Sequence, residues 1–300
     1  MANIHFLLDP SQADIGPWWP VEEKRIRDVT ADFSFHLIRG KGHAEHITRE
    51  LQKSETKLLV CAGGDRLVHE VVNALADRTS LDVCLHHEIY QGNLRKLRPA
   101  ARSFLEFLQN YLKGERRVVT LDLGEARYQG QYGERVKRYF FSHASFGLPA
   151  AVLHRLPEPS VRRQAFRVLL RLVPFYRSPA FKFELNGKSL TPRYLLGGFV
   201  QNLPWAARGI QVASEAQADD SLLDLIILNR ASWPRTIWAA FQLIFKDELT
   251  GQFLQRESLR HLKIESTSGH RQVRIEIDGE SWGHLPVEIE NRASRLKILE

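Results

Sequence analysis

Short hydrophobic runs alternate with longer helical patterns through the first third of the chain. The β-type runs cover about residues 3–9, 33–38, 57–62 and 81–86. The helical patterns cover about residues 19–29, 41–53, 66–77 and 93–113. Such alternation with short connections is typical of a parallel sheet with helices on both faces. We therefore predict a three-layer α/β domain over residues 1–120.

The pattern changes after Gly114, where short β-type runs follow one another. They cover about residues 118–123, 139–143, 181–185, 194–200, 223–228, 262–265, 273–277 and 287–290. Asn186-Gly187 between two of them predicts a tight hairpin. Helical patterns interrupt only at about 159–173 and 232–246. This succession of short strands predicts a second, antiparallel β-sandwich domain over residues 121–300.

The most informative segment is the turn after the third β-type run, where Gly63, Gly64 and Asp65 separate a strand from a helix. The helix would bury one face, formed by Val68, Val71, Val72 and Leu75 at helical spacing. A glycine turn at a helix N-terminus directs backbone N–H groups and the positive end of the helix dipole at one point. That arrangement suits phosphate oxygens. The alternative is a tight turn that binds nothing.

Two more segments are predicted at the same edge of the sheet. Asp9-Pro10-Ser11 follows the first strand, and the loop at 87–93 follows the fourth. Ligands of open α/β sheets bind beyond the carboxyl ends of the strands. Three such loops at one edge predict a binding site there.

Composition narrows the classes of partner. The chain carries a net charge of +7, which suits nucleic acid, anionic lipid or nucleotide phosphates. No nucleic-acid-binding motif is present, so we expect no nucleic acid partner. No apolar run approaches the roughly 18 residues of a membrane span. The two cysteines, Cys61 and Cys84, lie in β-type runs, which predicts free, buried thiols in a reducing, cytoplasmic location.

The glycine turn and its helix resemble the nucleotide loop of the diacylglycerol and sphingosine lipid kinase superfamily. That loop usually reads Gly-Gly-Asp-Gly-Thr and is followed by Glu-Val-x-Asn-Gly-Leu. Residues 63–65, Glu70, Val71 and 73–75 follow the pattern, with Ala74 in place of glycine. Arg66 replaces the last loop glycine, and Leu67 replaces the threonine.

Four further segments resemble motifs of the same family, in the same order. Residues 8–12 resemble Asn-Pro-x-Ser-Gly, and residues 142–152 resemble Asn-x-x-Ser-x-Gly-x-Asp-Ala-x-Val. Residues 209–224 are similar to Ala-Pro-x-Ala followed by Asp-Asp-Gly-Leu-Leu-Asp, and residues 278–280 match Asp-Gly-Glu without change. The resemblance therefore spans nearly the whole chain.

The resemblance implies a Rossmann-like nucleotide domain and a β-sandwich lipid-binding domain, with the site in the cleft between them. It implies an ATP- and Mg²⁺-dependent kinase that phosphorylates a lipid hydroxyl, such as that of diacylglycerol. The implied catalytic base is Asp278 or Asp65. The implied nucleotide-binding residues are Asp9, Gly63, Gly64, Asp65, Arg66, Gly92 and Asn93. The implied Mg²⁺ ligands are Asp219, Asp220, Asp224 and Glu280.

Each of these acidic segments also has a plainer interpretation. Asp219, Asp220 and Asp224 fit a charged turn before a strand, and Asp278-Gly279-Glu280 fits a hairpin turn. Arg66 has two alternatives as well. Its guanidinium would pair with phosphate oxygens, or, where the position needs φ > 0, its side chain would strain and reshape the loop.

The second nucleotide loop departs furthest from the family pattern Pro-x-Gly-Thr-x-Asn-Asp. Gly92 and Asn93 fit it, whereas Glu88 adds charge that repels phosphate, Tyr90 adds bulk, and Leu94 replaces the aspartate. A rival prediction is therefore a degenerate family member that binds lipid or nucleotide without turnover. A weaker rival is a relative of NAD kinases, which share the glycine-rich loop.

A membrane-contacting surface is a further hypothesis. It combines Trp18-Trp19 with the arginines of the 159–173 helix, Arg162, Arg163, Arg167 and Arg171. Arginines and interfacial tryptophans suit anionic headgroups, so we expect peripheral binding at the inner membrane face, where the lipid substrate lies. The alternative is an ordinary amphipathic helix packed on a domain.

Overall fold

The computed structural model describes residues 3–11, 15–76, 82–86, 92–97, 103–130, 132–156, 162–206, 209–247, 254–267 and 272–299. The chain forms two compact units. Unit 1 comprises Met1–Leu121 with Ser294–Glu300, and unit 2 comprises Asp122–Ala293. The last seven residues thus group with the first unit, whereas the predicted division kept them in the second domain.

The elements of the first 121 residues are β1 (Ile4–Leu8), α1 (Ile15–Arg27), β2 (Phe33–Leu37), α2 (His43–Leu51), β3 (Leu58–Ala62), α3 (Asp65–Leu75), β4 (Asp82–Leu85), α4 (Asn93–Leu97), α5 (Phe104–Leu112) and the start of β5 (Val118–Gln129). Then follow β6 (Arg135–Phe140), β7 (His143–Gly147), α6 (Leu148–Leu153), α7 (Arg162–Leu172), a 3₁₀ turn (Val173–Phe175), β8 (Ala180–Leu185), β9 (Lys188–Ser189), β10 (Arg193–Gln201), β11 (Trp205–Ala206), β12 (Ile210–Gln211), β13 (Leu223–Asn229), α8 (Trp233–Lys246), β14 (Leu254–Leu259), β15 (His261–Ser266), β16 (Arg274–Ile277) and β17 (Glu280–Leu299).

Unit 1 is built on a parallel sheet in the order β17-β4-β3-β1-β2. Ile4 lies opposite Phe33 on one side and opposite Leu58 on the other, and Leu299 of β17 pairs with Cys84. Every residue of β1 and β3 is buried. Strands buried on both faces are what a sheet covered by helices on both sides requires.

Helices cover this sheet as the hydrophobic pattern predicts. Alternate strand residues, such as Phe6 and Val60, pack against α1 and α5. The predicted face of α3 is buried, with Val68, Val71, Val72 and Leu75 at most 5% exposed. The α/β architecture predicted for the N-terminal part is therefore confirmed.

One predicted helix differs from the structure. The pattern over 93–113 predicted a continuous helix, but α4 ends at Leu97 and α5 begins at Phe104. Ser103, directly before α5, has the extended backbone of an N-cap residue, so the helix is interrupted there. Ser103 then caps α5 by accepting the Glu106 N–H at 3.3 Å.

The proposed membrane role of Trp18-Trp19 is wrong. Trp19 is 7% exposed and packs on Phe6, with ring centroids 5.4 Å apart. Trp18 is half-buried, with its ring 4.7 Å from that of His86. The pair belongs to the core between α1 and the sheet, because α1 directs this side toward β1.

Unit 2 is a β-sandwich-like unit of antiparallel strands. Its central path is β14-β13-β10-β7-β16-β17, while β8 joins β10 to β15, and β15 returns to β17. Inward side chains such as Phe146, Phe181, Phe183 and Ile264 form one buried core. This confirms the predicted second architecture. The location of the site in a cleft between the domains stays a prediction.

Two tight features of unit 2 depend on backbone freedom. Asn186 and Gly187 have φ values of 47° and 81° between β8 and β9, as the predicted hairpin requires. Gly147 has φ 75°, and a Cβ there would lie 2.6 Å from the Leu196 carbonyl oxygen. Glycine is therefore needed where β7 meets β10.

Among the described residues, no helix is long and apolar enough to cross a membrane. Cys61 and Cys84 are both free and buried, as predicted.

Candidate functional site

The strand order of unit 1 reverses beside β1. From β1 the chain moves to β2 on one side, and then to β3 and β4 on the other. Open α/β sheets bind ligands at the carboxyl ends of the strands flanking such a switch. Asp9 directly follows β1, and Gly63 directly follows β3. Topology therefore places the predicted phosphate turn at the position where this fold binds ligands.

Gly63 is required by close packing. A Cβ on Gly63 would lie 2.9 Å from the Cβ of Asp9 and 2.9 Å from Cδ2 of Leu67. Gly64 is extended, with φ −128°, and as the N-cap residue of α3 it makes no side-chain capping bond. The N-terminus of α3 thus presents backbone N–H groups and the helix dipole, which suits the phosphates of a nucleotide.

Arg66 connects the loops that follow β1 and β3. Its Nη2 lies 2.9 Å from Oδ2 of Asp9 and 2.6 Å from Oγ of Ser11. Oδ1 of Asp9 accepts the N–H and the hydroxyl of Ser11. Asp9 is 1% exposed. A buried carboxylate thus holds the guanidinium at the switch point, and the two charges offset each other.

The backbone at Arg66 is unstrained. Arg66 is the second residue of α3, and it is absent from the described residues that have positive φ. The alternative in which this side chain strains the loop does not apply, because the first turn of a helix has negative φ angles, which arginine adopts without strain. Arginine replaces glycine here without a conformational cost.

The carboxylate of Asp65 accepts a hydrogen bond from the second predicted nucleotide loop. The backbone N–H of Asn93 lies 3.0 Å from Oδ1 and 3.2 Å from Oδ2 of Asp65. Asn93 begins α4 and is buried, so Asp65 satisfies one N–H at this helix start. The structure brings Asp65, Gly92 and Asn93 together. Whether Asp65 acts as a base stays a prediction.

Of the departures in the second loop, Leu94 is buried at 3% exposure and therefore has a packing role. Glu88 and Tyr90 lie outside the described residues.

Glu70, a motif residue without a predicted role, fixes the start of α2. Its Oε1 accepts the Gly42 N–H at 2.8 Å, and its Oε2 accepts the Ala44 N–H at 2.9 Å. Gly42 is the N-cap residue, has φ 80° and carries no capping side chain. A carboxylate from another helix therefore satisfies the N–H groups at this helix end.

Asp278 occupies a hairpin turn in unit 2, as the plainer interpretation predicted. Asp278 and Gly279 have φ values of 49° and 92° between β16 and β17. Oδ2 of Asp278 accepts the Phe141 N–H, and Oδ1 accepts those of Ser142 and His143, each at 3.0 Å. Asp278 is 6% exposed. Its carboxylate therefore fastens the hairpin to the segment between β6 and β7. Its role as a base stays a prediction.

A buried polar network that the sequence did not predict supports this hairpin. Glu276 accepts the hydroxyl of Ser145 and the N–H of Gly279. Nε2 of His143 lies 3.3 Å from Oε1 of Glu276. Glu276, His143 and Ser145 are each at most 2% exposed. The only sequence signal was their place within or beside the family motifs.

The acidic group at 219–224 forms a turn before β13. Asp219 and Asp220 are exposed, and Oδ1 of Asp220 accepts the Leu222 N–H at 2.9 Å. Asp122, buried and not predicted from sequence, accepts the Ser221 N–H at 2.7 Å. Desolvation raises the pKa of the Asp220 carboxyl above its ordinary value, and the carboxylates of Asp224, Asp122 and Asp219 add to the shift.

The role of Asp219, Asp220, Asp224 and Glu280 as Mg²⁺ ligands stays a prediction. Asp224 accepts the Ser258 hydroxyl at 3.0 Å and lies 3.7 Å from Nε of Arg256. Glu280 starts β17 and is half-buried. Within the described ranges, no group of three or more His, Cys, Asp or Glu side chains is arranged to hold a metal ion.

An apolar cavity of about 120 Å³ lies inside unit 2, between β10 and the helices α6, α7 and α8. Its walls are almost wholly hydrocarbon, and include Leu148, Val152, Leu169, Phe199 and Leu243. Cavities of this kind exclude water and accept apolar groups. The lining of this cavity therefore suits apolar groups.

The arginines of α7 do not act alike. Arg162 is bound within unit 2, with Nη1 2.9 Å from Oδ2 of Asp247 and Nη2 3.1 Å from the Gly209 carbonyl. Arg163, Arg167 and Arg171 are exposed. Arg162 therefore has a structural role, while the other three remain at the surface.

Comparisons with known families agree with these two units. Residues 17–87 match the family profile described as "Diacylglycerol kinase catalytic domain". Residues 144–300, more than half of the chain, match "YegS C-terminal NAD kinase beta sandwich-like domain". The family resemblance seen in the sequence is confirmed.

Related proteins match over nearly the full length. The chain is 22% identical over 323 residues to "Putative lipid kinase YtlR" of Bacillus subtilis (strain 168), with 99% of both chains covered. It is 24% identical over 284 residues to "Diacylglycerol kinase" of that organism, covering 92% of this chain and 88% of the relative. A crystal structure described as "a putative diacylglycerol kinase from Bacillus anthracis str. Sterne" has a TM-score of 0.74 at 16% identity, covering 99% and 94% of the two chains. This last likeness shows a shared fold.

Proposed function

This chain belongs to the family of diacylglycerol kinase-like and YegS-like lipid kinases, and we propose that it transfers the γ-phosphoryl group of ATP to the hydroxyl of a membrane lipid such as diacylglycerol. The observation that carries the proposal is the glycine turn at the switch point of unit 1, with Arg66 held beside it. ATP binds unit 1, and lipid hydrocarbon binds unit 2.

The nucleotide side of the proposal rests on hydrogen-bond donors that are already held in place. Phosphoryl transfer needs a phosphate cradle and groups that offset the charge on the transferring phosphoryl. The N-terminus of α3 supplies N–H groups, and Arg66 supplies a guanidinium already fixed by Asp9 and Ser11. A fixed donor loses little conformational entropy when phosphate binds. Arg66 thus replaces the missing loop glycine as a phosphate ligand.

The lipid side rests on the apolar cavity of unit 2. Hydrocarbon walls favour an acyl chain, by about 0.8 kcal/mol per buried methylene. This property favours a lipid kinase over a relative of NAD kinases, since a dinucleotide has no long hydrocarbon to bury. The enzyme would work in the cytoplasm at the inner membrane face, where ATP and a reduced pair of cysteines are expected.

A degenerate family member is the second candidate, and specific contacts favour it. The Arg66 guanidinium is paired with Asp9, and both oxygens of Asp65 accept the Asn93 N–H. Such a protein would bind lipid or nucleotide through the same units without turnover.

Calorimetric titration of ATP, with and without Mg²⁺, tests the nucleotide side directly. Arg66→Ala removes a charged donor, and hydrogen bonds to charged groups contribute about 1.5–3 kcal/mol. We therefore expect ATP affinity to fall by about 10- to 100-fold, because each 1.4 kcal/mol is tenfold. Arg49→Ala, which removes an exposed arginine of α2, is the matched control and should leave affinity unchanged.

A phosphoryl-transfer assay distinguishes the active lipid kinase from the degenerate family member. Transfer of labelled phosphate from ATP to diacylglycerol in detergent micelles is expected for the kinase, and transfer to NAD is not. ATP binding without transfer to any of several lipid alcohols would support the degenerate member. No ATP binding at all, with folded protein, would refute the kinase proposal.

A further inference from the structure

Unit 2 carries a cluster of exposed aromatic and apolar side chains that the proposed kinase site does not use. They are Leu170 on α7, Phe175 in the 3₁₀ turn, Tyr194 at the start of β10, and Trp233 and Trp238 on α8. Phe175 is 84% exposed, and both tryptophans are more than half exposed. Single exposed apolar residues are ordinary, but a cluster on neighbouring elements marks an interaction surface.

These residues lie on elements that contact one another. The Trp238 ring stacks on Phe241 at 5.8 Å, and Phe241 meets Phe166 of α7 at 5.8 Å. At the other end of α8, Trp233 and Tyr194 line one groove together with the segment that follows the 3₁₀ turn. The cluster therefore extends across α7, the 3₁₀ turn and α8 as one surface.

The exposed charged side chains that the structure describes on α7, the 3₁₀ turn and α8 are all cationic. The exposed arginines of this surface are Arg163, Arg167, Arg171, Arg177, Arg230 and Arg235. The chain has no aspartate or glutamate from residue 162 to residue 183, or from 225 to 246. Arg177 and Arg230 line the same groove as Trp233, which has a volume of about 380 Å³. Six arginines without a neighbouring acidic residue in sequence make a field that attracts anions.

We propose that this surface, which we call the arginine–aromatic face, docks unit 2 on a bilayer that contains anionic phospholipid, with headgroup phosphates at Arg177 and Arg230. Tryptophan and tyrosine favour the membrane interface because their rings are amphipathic. Arginine side chains around them pair with phosphates. The face thus combines the two contributions that interfacial binding requires, apolar insertion and electrostatic attraction.

A second copy of the chain is a poorer occupant. Two such faces would bring arginines against arginines, and like charges at an interface are unfavourable. The inference rests on the proposed function only in naming the membrane where the lipid substrate lies. Docking itself needs neither ATP nor phosphoryl transfer, so the docking proposal and the kinase proposal can be refuted separately.

Vesicle flotation without nucleotide tests the docking. Vesicles of phosphatidylcholine, with or without phosphatidylglycerol, are the probes. Each arginine near an anionic surface contributes about fivefold in affinity, on the order of 1 kcal/mol. Arg177→Gln with Arg230→Gln should therefore weaken binding to the anionic vesicles by about 25-fold. Binding of the wild type should weaken as salt rises, because the Debye length falls from about 10 Å at 0.1 M to about 3 Å at 1 M.

The matched control removes two exposed arginines elsewhere in unit 2, by Arg135→Gln with Arg260→Gln. It changes the net charge equally and should weaken binding far less. An equal loss in both pairs would show that net charge, and not this face, attracts the vesicles, and would overturn the proposal.

Insertion of the tryptophans has its own readout. Brominated phosphatidylcholine in the anionic vesicles should quench part of the tryptophan fluorescence, and Trp233→Phe with Trp238→Phe should abolish that part. Tyr132→Ala, at a fully separate exposed aromatic residue, should leave the quenching unchanged. Unquenched fluorescence together with equal binding to heparin would assign the face to a polyanion such as nucleic acid and would refute docking on a membrane. Circular dichroism confirms that each variant is folded.

Discussion

Replacing Asp278 separates a structural role from a purely catalytic one. The carboxylate accepts three backbone N–H groups, those of Phe141, Ser142 and His143. All three residues are at most 1% exposed, so water cannot readily take the place of the carboxylate. Asp278→Asn keeps the shape of the side chain and the left-handed backbone, which asparagine tolerates.

The cost of Asp278→Asn follows from its new amide. The asparagine oxygen can still accept the Ser142 and His143 N–H groups, but its NH₂ then faces the Phe141 N–H. A buried donor left without an acceptor costs about 1–3 kcal/mol, and the two surviving bonds lose their charge. We expect a loss of about 3 kcal/mol, or roughly 6–12 °C in the melting temperature of a unit of this size. Asp278→Ala loses all three bonds and also strains the left-handed position by about 1 kcal/mol more.

Hydrogen exchange is the sharpest assay, because it reports on the three N–H groups themselves. Peptides that contain residues 141–143 should exchange faster in Asp278→Asn, alongside the fall in melting temperature. Asp219→Asn, an exposed carboxylate in the same unit, is the control and should change stability by less than about 0.5 kcal/mol. Unchanged exchange and unchanged melting would refute this reasoning and leave Asp278 with a role in chemistry alone.

Three further predictions concern unit 1. Burial, with the nearby His5 and His43, lowers the pKa of His36. The unfolded chain therefore binds more protons than the folded protein just below pH 6.5, so the free energy of unfolding should fall as the pH drops through that range. Denaturant titrations at several pH values measure this change. Burial raises the pKa of the Cys61 thiol to about 12, so mass spectrometry should find it unalkylated at pH 8 until the protein unfolds. Glu70→Gln should cost about 1–3 kcal/mol and speed hydrogen exchange at the start of α2, because an amide satisfies fewer of the N–H groups there; equal exchange would contradict the capping role.

Periodicity and turn chemistry predict much of this fold because those signals are local. The buried face of α3, the glycine turn before it and the Asn186-Gly187 hairpin are each encoded within about a dozen residues. The prediction of one continuous helix over 93–113 was wrong, because hydrophobic spacing alone does not show where one helix ends and the next begins. The hydrophobic spacing of this segment continued through Ser103, which is the N-cap residue of α5 in the structure.

Contacts between distant segments could not be predicted in this way. Glu70 reaches the start of α2 across 26 residues, and Asp278 reaches Ser142 across 136. The exposure of Trp233 and the burial of Trp19 are likewise set by which neighbours each helix meets. A tryptophan pair between two prolines looks like a membrane anchor until the sheet that covers it is known.

The motif residues that this chain retains have structural tasks. Gly63 allows the approach of Asp9, Glu70 caps α2, Gly147 allows β7 to meet β10, and Asp278 fastens a hairpin. The departures at Arg66 and in the segment 88–94 fall instead in the predicted nucleotide loops.

Each residue of the first group makes a contact that the fold uses, so their presence identifies the family and not the activity. Arg66 is the residue on which the proposed kinase activity depends, because Asp9 and Ser11 hold its guanidinium beside the glycine turn. Its effect on ATP affinity therefore reports on function, whereas the stability of variants at the retained motifs reports on the fold.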